Sequence, residues 1–162
     1  MATSIIAAVM DRVDGLPEGL FPGSVRPAVY LDMAPLTDGT GAQVHPPYLI
    51  LTDHGTETVY DFERNVFETT ELTLTAYADS LADADATCEA LKYGPGDIDG
   101  AEGLDHCTLA LAAAVGARES HSVIRTGERA FLAPGLGRTG QRTHARELRY
   151  KITLRRTVGG HQ

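Results

Sequence analysis

Any chemistry in this chain would have to come from its six histidines, two cysteines and clustered aspartates. A cysteine nucleophile needs a histidine base within hydrogen-bond reach, so a small Cys/His-dependent hydrolase would require the fold to bring Cys107 to His54 or His121. His106 is only a sequence neighbour of Cys107, since adjacent strand residues point to opposite faces. Cys88 falls on a helical apolar stripe and reads as a small buried hydrophobe. Neither cysteine belongs to a CxxC, and no HExxH, HxH or Cys/His pair has zinc spacing.

Two further patterns fail on register. Asp97 to Gly100 (DIDG) suggests a calcium loop, but aligning Gly100 with the EF-hand glycine puts Pro95 at the first ligand position and His106 where a bidentate Glu belongs. Gly135 to Gly140 (GLGRTG) has phosphate-loop glycines without the Lys-Ser/Thr ending, and no helix start follows it. Asp79, Asp83 and Asp85 read as a helix cap and a solvated face. The residue types therefore support no cofactor and no metal, which leaves surfaces as the carriers of function.

Charge is distributed unevenly. Residues 1 to 105 carry 4 basic and 19 acidic side chains, a balance of −15, whereas residues 106 to 162 carry 10 basic and 3 acidic, a balance of +7. The halves either pair within the subunit or present opposite surfaces to different neighbours, including copies of the same chain. The net charge of −8 argues against a protein that grips duplex DNA. It suits a surface that DNA slides past. No run approaches a membrane span and no secretory signal precedes the first helix, so a soluble, unexported protein is expected, and 162 residues suit one domain.

The chain is organised around Glu71 to Gly94, where the apolar period changes from two to 3.6. Leu72, Leu74 and Ala76 alternate with polar Glu71, Thr73 and Thr75, predicting a strand with one dry face. Ser80 caps a following helix with Asp83 at the capping-box position, and Gly94-Pro95 ends it. Leu81, Ala84, Cys88 and Leu91 form the predicted buried stripe. Ala82, Ala86 and Ala90 form a second, small-residue ridge able to admit another backbone, either the first helix or a neighbouring subunit.

Around this centre, Ser4 to Val13 predicts a first helix with Ile5, Ile6, Val9, Met10 and Val13 on one side, ended by Gly15 and Pro17. Ala28 to Met33 is a short strand, and residues 34–47 a long loop. Tyr48 to Thr52 and Glu57 to Phe62 predict a hairpin turning at Asp53-His54-Gly55. His106 to Val115 fits either strand or helix, Glu119 to Arg125 is a strand, and residues 133–143 form a second flexible loop. In the last strand Leu148, Tyr150, Ile152 and Leu154 alternate with Arg149, Lys151, Thr153 and Arg155. One face is core and the other basic, either solvated or joining an acidic neighbour. Residues 159–162 are expected to fray.

This order resembles the small tail-terminator and tail-completion proteins of long-tailed bacteriophages and related prophage or gene-transfer particles. The residues that carry the resemblance are Ile5 to Val13, Pro47-Tyr48-Leu49, Glu71 to Leu91 and Glu147 to Arg155. The resemblance implies an α+β fold, a mostly antiparallel sheet with two helices packed on one face, and no catalysis or cofactor. It implies a self-associating ring of six subunits that ends the tail tube and joins it to the head-tail connector or stopper in the tail-neck region of a virion assembled in the host cytoplasm. DNA would pass through the lumen without specific binding. On that basis Arg149, Lys151, Arg155, Ala82, Ala86 and Ala90 are expected at subunit or partner interfaces, and Asp38, Asp97 and Arg138 in lumen or docking loops. A portal-binding head-completion adaptor, the hydrolase and a monomeric binding module are the alternatives.

Overall fold

The computed structural model describes residues 4–60, 66–96, 102–105, 107–111, 118–133 and 142–156. Helix α1 (Ile5–Asp14) starts where Ser4, in extended conformation, accepts the Ala7 N–H on its hydroxyl, and Gly15 closes it by donating to Asp11 O. A cap of this kind contributes about 1 kcal/mol. Two 3-10 turns, Glu18–Leu20 and Pro22–Ser24, lead to strand β1 (Ala28–Leu31).

Strands β2 (Tyr48–Tyr60), β3 (Val66–Ala78), β4 (Ala110–Leu111), β5 (Arg118–Ala133) and β6 (Thr143–Arg156) complete a six-stranded sheet of order β1-β2-β3-β6-β5-β4. β1 runs parallel to β2, and every other pairing is antiparallel. Helix α2 (Leu81–Tyr93) begins at Ser80, whose hydroxyl accepts the Asp83 N–H, and stops at Gly94, where φ is +59°. The sheet and helices form the expected α+β arrangement, with both helices on the face that carries Leu72, Leu74, Leu148, Tyr150, Ile152 and Leu154. Val9 and Val13 of α1 and Cys88 and Leu91 of α2 complete that core.

Several local expectations are corrected. Asp53-His54-Gly55 does not reverse the chain. Asp53 Oδ1 accepts the Gly55 N–H at 2.7 Å, Gly55 takes φ +106°, and the register with β3 slips between Asp53 and Thr56. A β-bulge absorbs the irregular residues, so a single strand continues to Tyr60. The same device lets β5 run past the predicted end at Arg125, with a register shift between Arg125 and Gly127.

The buried arc of α2 contains three of the four predicted stripe residues, Ala84, Cys88 and Leu91, and is wider than that stripe. Ala84, Thr87, Cys88, Ala90 and Leu91 are buried, whereas Leu81 is 48% exposed. Lys92 is buried as well, so at roughly 100° per residue Leu81 falls within this arc, between Cys88 and Lys92, but at the first residue of the helix, and Ala90 lies at the far border. The small-residue ridge is thus divided, with Ala82 and Ala86 outside and Ala90 inside. Thr73 and Thr75 are buried too, because Arg149 and Glu147 stand opposite them on β6 and the His54 ring hydrogen-bonds Thr73. Long charged side chains cover short polar ones on a sheet face in this way. Between residues 106 and 115, the described part contains only the two-residue β4 as regular structure.

Candidate assembly surfaces

The sheet face opposite the helices carries two kinds of row. At one end Tyr30, Tyr48, Tyr77 and Phe131 make an aromatic band from β1 to β5, with successive ring centroids 5.9, 5.2 and 6.4 Å apart. Burial pushes the Tyr48 and Tyr77 phenols above their ordinary pKa. They are neutral packing groups in this band. Next to it Arg129 forks onto Glu147, with Nε 3.0 Å from Oε1 and Nη2 3.1 Å from Oε2. The same Arg129 lies over the Phe131 ring at 5.1 Å.

Of the residues expected on the basic face, Arg149, Lys151 and Arg155 are all exposed on this side. The strand register intersperses acids among them. Arg149 lies 3.6 Å from Glu147, and Lys151 stands directly opposite Glu71. Lys151, Glu71, His54 and Glu57 line a shallow cleft at the β2 bulge. This surface therefore has both charges within reach of a partner. Such patterning favours a single register over strong non-specific attraction.

On α2, Ala82, Ala86, Glu89 and Tyr93 are exposed along one side of the helix. Asp38 sits in the 34–47 segment, where its carboxylate accepts the Thr40 hydroxyl and the Thr40 and Ala42 N–H groups. The Thr40 hydroxyl and these N–H bonds hold its pKa low. Asp38 thus shapes its own turn while remaining exposed, and a Thr37–Gln43 bridge closes the segment. Asp97 and Arg138 lie outside the described residues, as do the DIDG run, Gly135 to Gly140 and residues 157–162.

An ion network that sequence reasoning missed fixes α2 to the sheet. Lys92, 5% exposed, pairs with Glu89 at 2.6 Å and Glu128 at 3.5 Å. Glu128 also takes Arg125 at 2.7 Å and Arg146, and Arg146 reaches Asp85 at 3.2 Å. Arg125 continues to Asp105 at 3.1 Å, and the Tyr150 hydroxyl donates to Asp105 Oδ1 at 2.7 Å. Burial alone would raise the Glu128 carboxyl, but the Lys92 and Arg146 cations hold it below the usual range. The sequence signal was Arg146 at an even position of a strand whose next four even residues, Leu148, Tyr150, Ile152 and Leu154, are apolar.

Among the described side chains neither cysteine has a histidine partner, and the His121 side chain lies outside them. Cys88 and Cys107 are buried, and burial pushes the Cys88 thiol up to about 12 and raises that of Cys107. Thiolate is the reactive form, so both behave as small hydrophobes. His54 is engaged with Thr73. Among the described residues no group of three or more His, Cys, Asp and Glu side chains could hold a metal ion, and no helix is long and apolar enough to cross a membrane.

These features define a helix-backed, mostly antiparallel sheet whose distinctive residues form surfaces. The fold is shared with a chain from the virion of a native gene transfer agent particle, with a TM-score of 0.64 at 15% sequence identity, covering 94% of this chain and 96% of that one. No protein-family model and no curated protein sequence matches the chain.

Proposed function

We propose that this protein is a structural virion component, a ring-forming tail terminator that ends the tail tube and joins it to the head-tail connector. The observation that carries the reading is the fold shared with a virion chain over nearly the full length of both proteins. The buried thiols and the mixed-charge sheet face support a role in assembly over one in catalysis. In the ring, assigned six subunits, exposed Asp38 faces a channel through which DNA passes without adhering. A ring structure with a basic channel would remove that assignment.

Purified protein mixed with open tail tubes provides the test. In electron micrographs, gold-labelled protein should sit at one end of each tube and halt further growth. Label along the tube wall, or no label at all, would sink the reading. Label on isolated portals alone would assign the protein to head completion.

A further inference from the structure

Among the described residues the sheet has two edges with no neighbouring strand, β1 and residues 128–131 of β5, and they lie at the same level. Across it the register runs Ala28–Tyr48–Tyr77–Ala145–Phe131 in one row and Leu31–Leu51–Leu74–Leu148–Glu128 in another. The level occupied by β1 on one edge is therefore that of Glu128 to Phe131 on the opposite side. β4 shields β5 only at Arg118 and Glu119, far along the strand, and among the described residues no strand lies beyond Glu128 to Phe131. On β1 the Asp32 N–H donates to Leu51 O, so by alternation the N–H groups of Val29 and Leu31 point away from the sheet. Unpaired edges of this kind are templates for another strand.

We propose that β1 of one subunit pairs with residues 128–131 of β5 in the next copy of this chain, continuing the sheet from subunit to subunit. Three observations select a second copy as the occupant. First, strand sense fits: β1 runs with β2 and β6, and β5 runs against them, so rotation about an axis along the strands brings β5 antiparallel to β1. Second, side chains fit. With no stagger, Tyr30 meets Arg129, Val29 meets Ala130 and Ala28 meets Phe131, and the aromatic band that ends at Tyr30 and Phe131 becomes continuous between subunits. Leu31 and Leu132, about half-exposed in the subunit, lie beside the joint. Third, charge fits, because exposed Asp32 borders the β1 edge and exposed Arg129 the β5 edge. The contact joins unlike patches, so it closes a ring or extends a filament.

This pairing rests on the ring reading above, and its test is separable from the tube-end assay. Val29→Cys with Ala130→Cys places two thiols on the same sheet face across the joint, while Cys88 and Cys107 remain buried. Oxidation of the assembled double variant should give a ladder of covalent multimers, and a mixture of the two single variants should stop at dimers. Leu31→Pro leaves the sheet-facing hydrogen bonds intact and removes an edge donor, and should weaken self-association about tenfold while circular dichroism is unchanged. Rings that form without cross-linking overturn the edge pairing and leave the tube-end function standing. A chain that stays monomeric at every concentration, or that cross-links only to a tube protein, overturns it as well.

Discussion

The Tyr150 hydroxyl donates a 2.7 Å hydrogen bond to Asp105 Oδ1, tying the centre of the last strand to a turn 45 residues earlier. Tyr150 is 1% exposed, and burial together with the bond to Asp105 pushes its phenol well above the ordinary range, so it stays protonated and donating. Asp105 also takes Arg125 and is therefore never left without a partner. Tyr150→Phe should fold and should lose about 1–3 kcal/mol in urea denaturation, the cost of an acceptor stripped of one donor. Asp105→Ala should cost more, because it leaves both the Tyr150 hydroxyl and Arg125 short of their acceptor. Equal losses would show that the Arg125 contact adds little, and no loss in Tyr150→Phe would show that the hydroxyl bond contributes little.

Glu128 gives the network a pH signature. Burial would raise its carboxyl, but Lys92 and Arg146 hold it below the reference value of 4.5. A carboxyl depressed in the folded state stabilises the fold fully above its unfolded pKa and loses that contribution as pH falls through the folded value. Thermal midpoints should therefore drop as pH falls below about 4.5. Glu128→Gln should be less stable than the parent at pH 7, and the gap should close in acid. A gap that stays constant down to pH 2 would exclude Glu128 as a source of acid sensitivity.

Position along α2 separates two leucines that sequence periodicity treats alike. Leu91 is fully buried and Leu81 is 48% exposed. Leu91→Ala should cost about 2–5 kcal/mol by cavity formation, whereas Leu81→Ala should cost less than about 1 kcal/mol. Ala90→Arg should unfold or strongly destabilise the subunit, and Ala86→Arg should leave its melting transition in place. Comparable losses at Leu81 and Leu91 would mean that the helix is seated differently.

What the sequence revealed, and what it hid, follows from range. Ser80, Asp83 and Gly94 act within a few residues of one another, so the start and stop of α2 were legible. So was the apolar alternation of β6, because a strand's period is local. The inward side of α2 was legible at Ala84, Cys88 and Leu91, but how far along the helix β3 and β6 cover it was not, and a hydrophobic Leu81 at the first turn weighed as heavily as Leu91 near the last. The bulge at Asp53 to Thr56 looked like a turn because Asp and Gly serve both. What distinguishes them is pairing with β3, which lies in the partner strand. The aromatic band and the Glu128 network unite residues from separate strands, and no spacing within one segment encodes them.

The basic face of β6 offers the most direct test of the proposed assembly. Arg149 and Lys151 each have an acid at hand, Glu147 within 3.6 Å and Glu71 directly across the ladder, and all five strand-face groups, Arg155 included, reach solvent to different extents. Exposed pairs contribute about 0–1 kcal/mol to a subunit, so reversing Arg149, Lys151 and Arg155 to Glu should change its stability little. At an interface the same charges set register and association rate, and screening shortens their reach to about 8 Å at physiological salt. The triple reversal should therefore slow self-association at low salt, with the difference from the parent shrinking as salt is raised. Sedimentation at several ionic strengths would measure this. An oligomer with the parent's salt dependence would place the face in solvent, leaving the unpaired sheet edges and the outer side of α2 as the remaining joints.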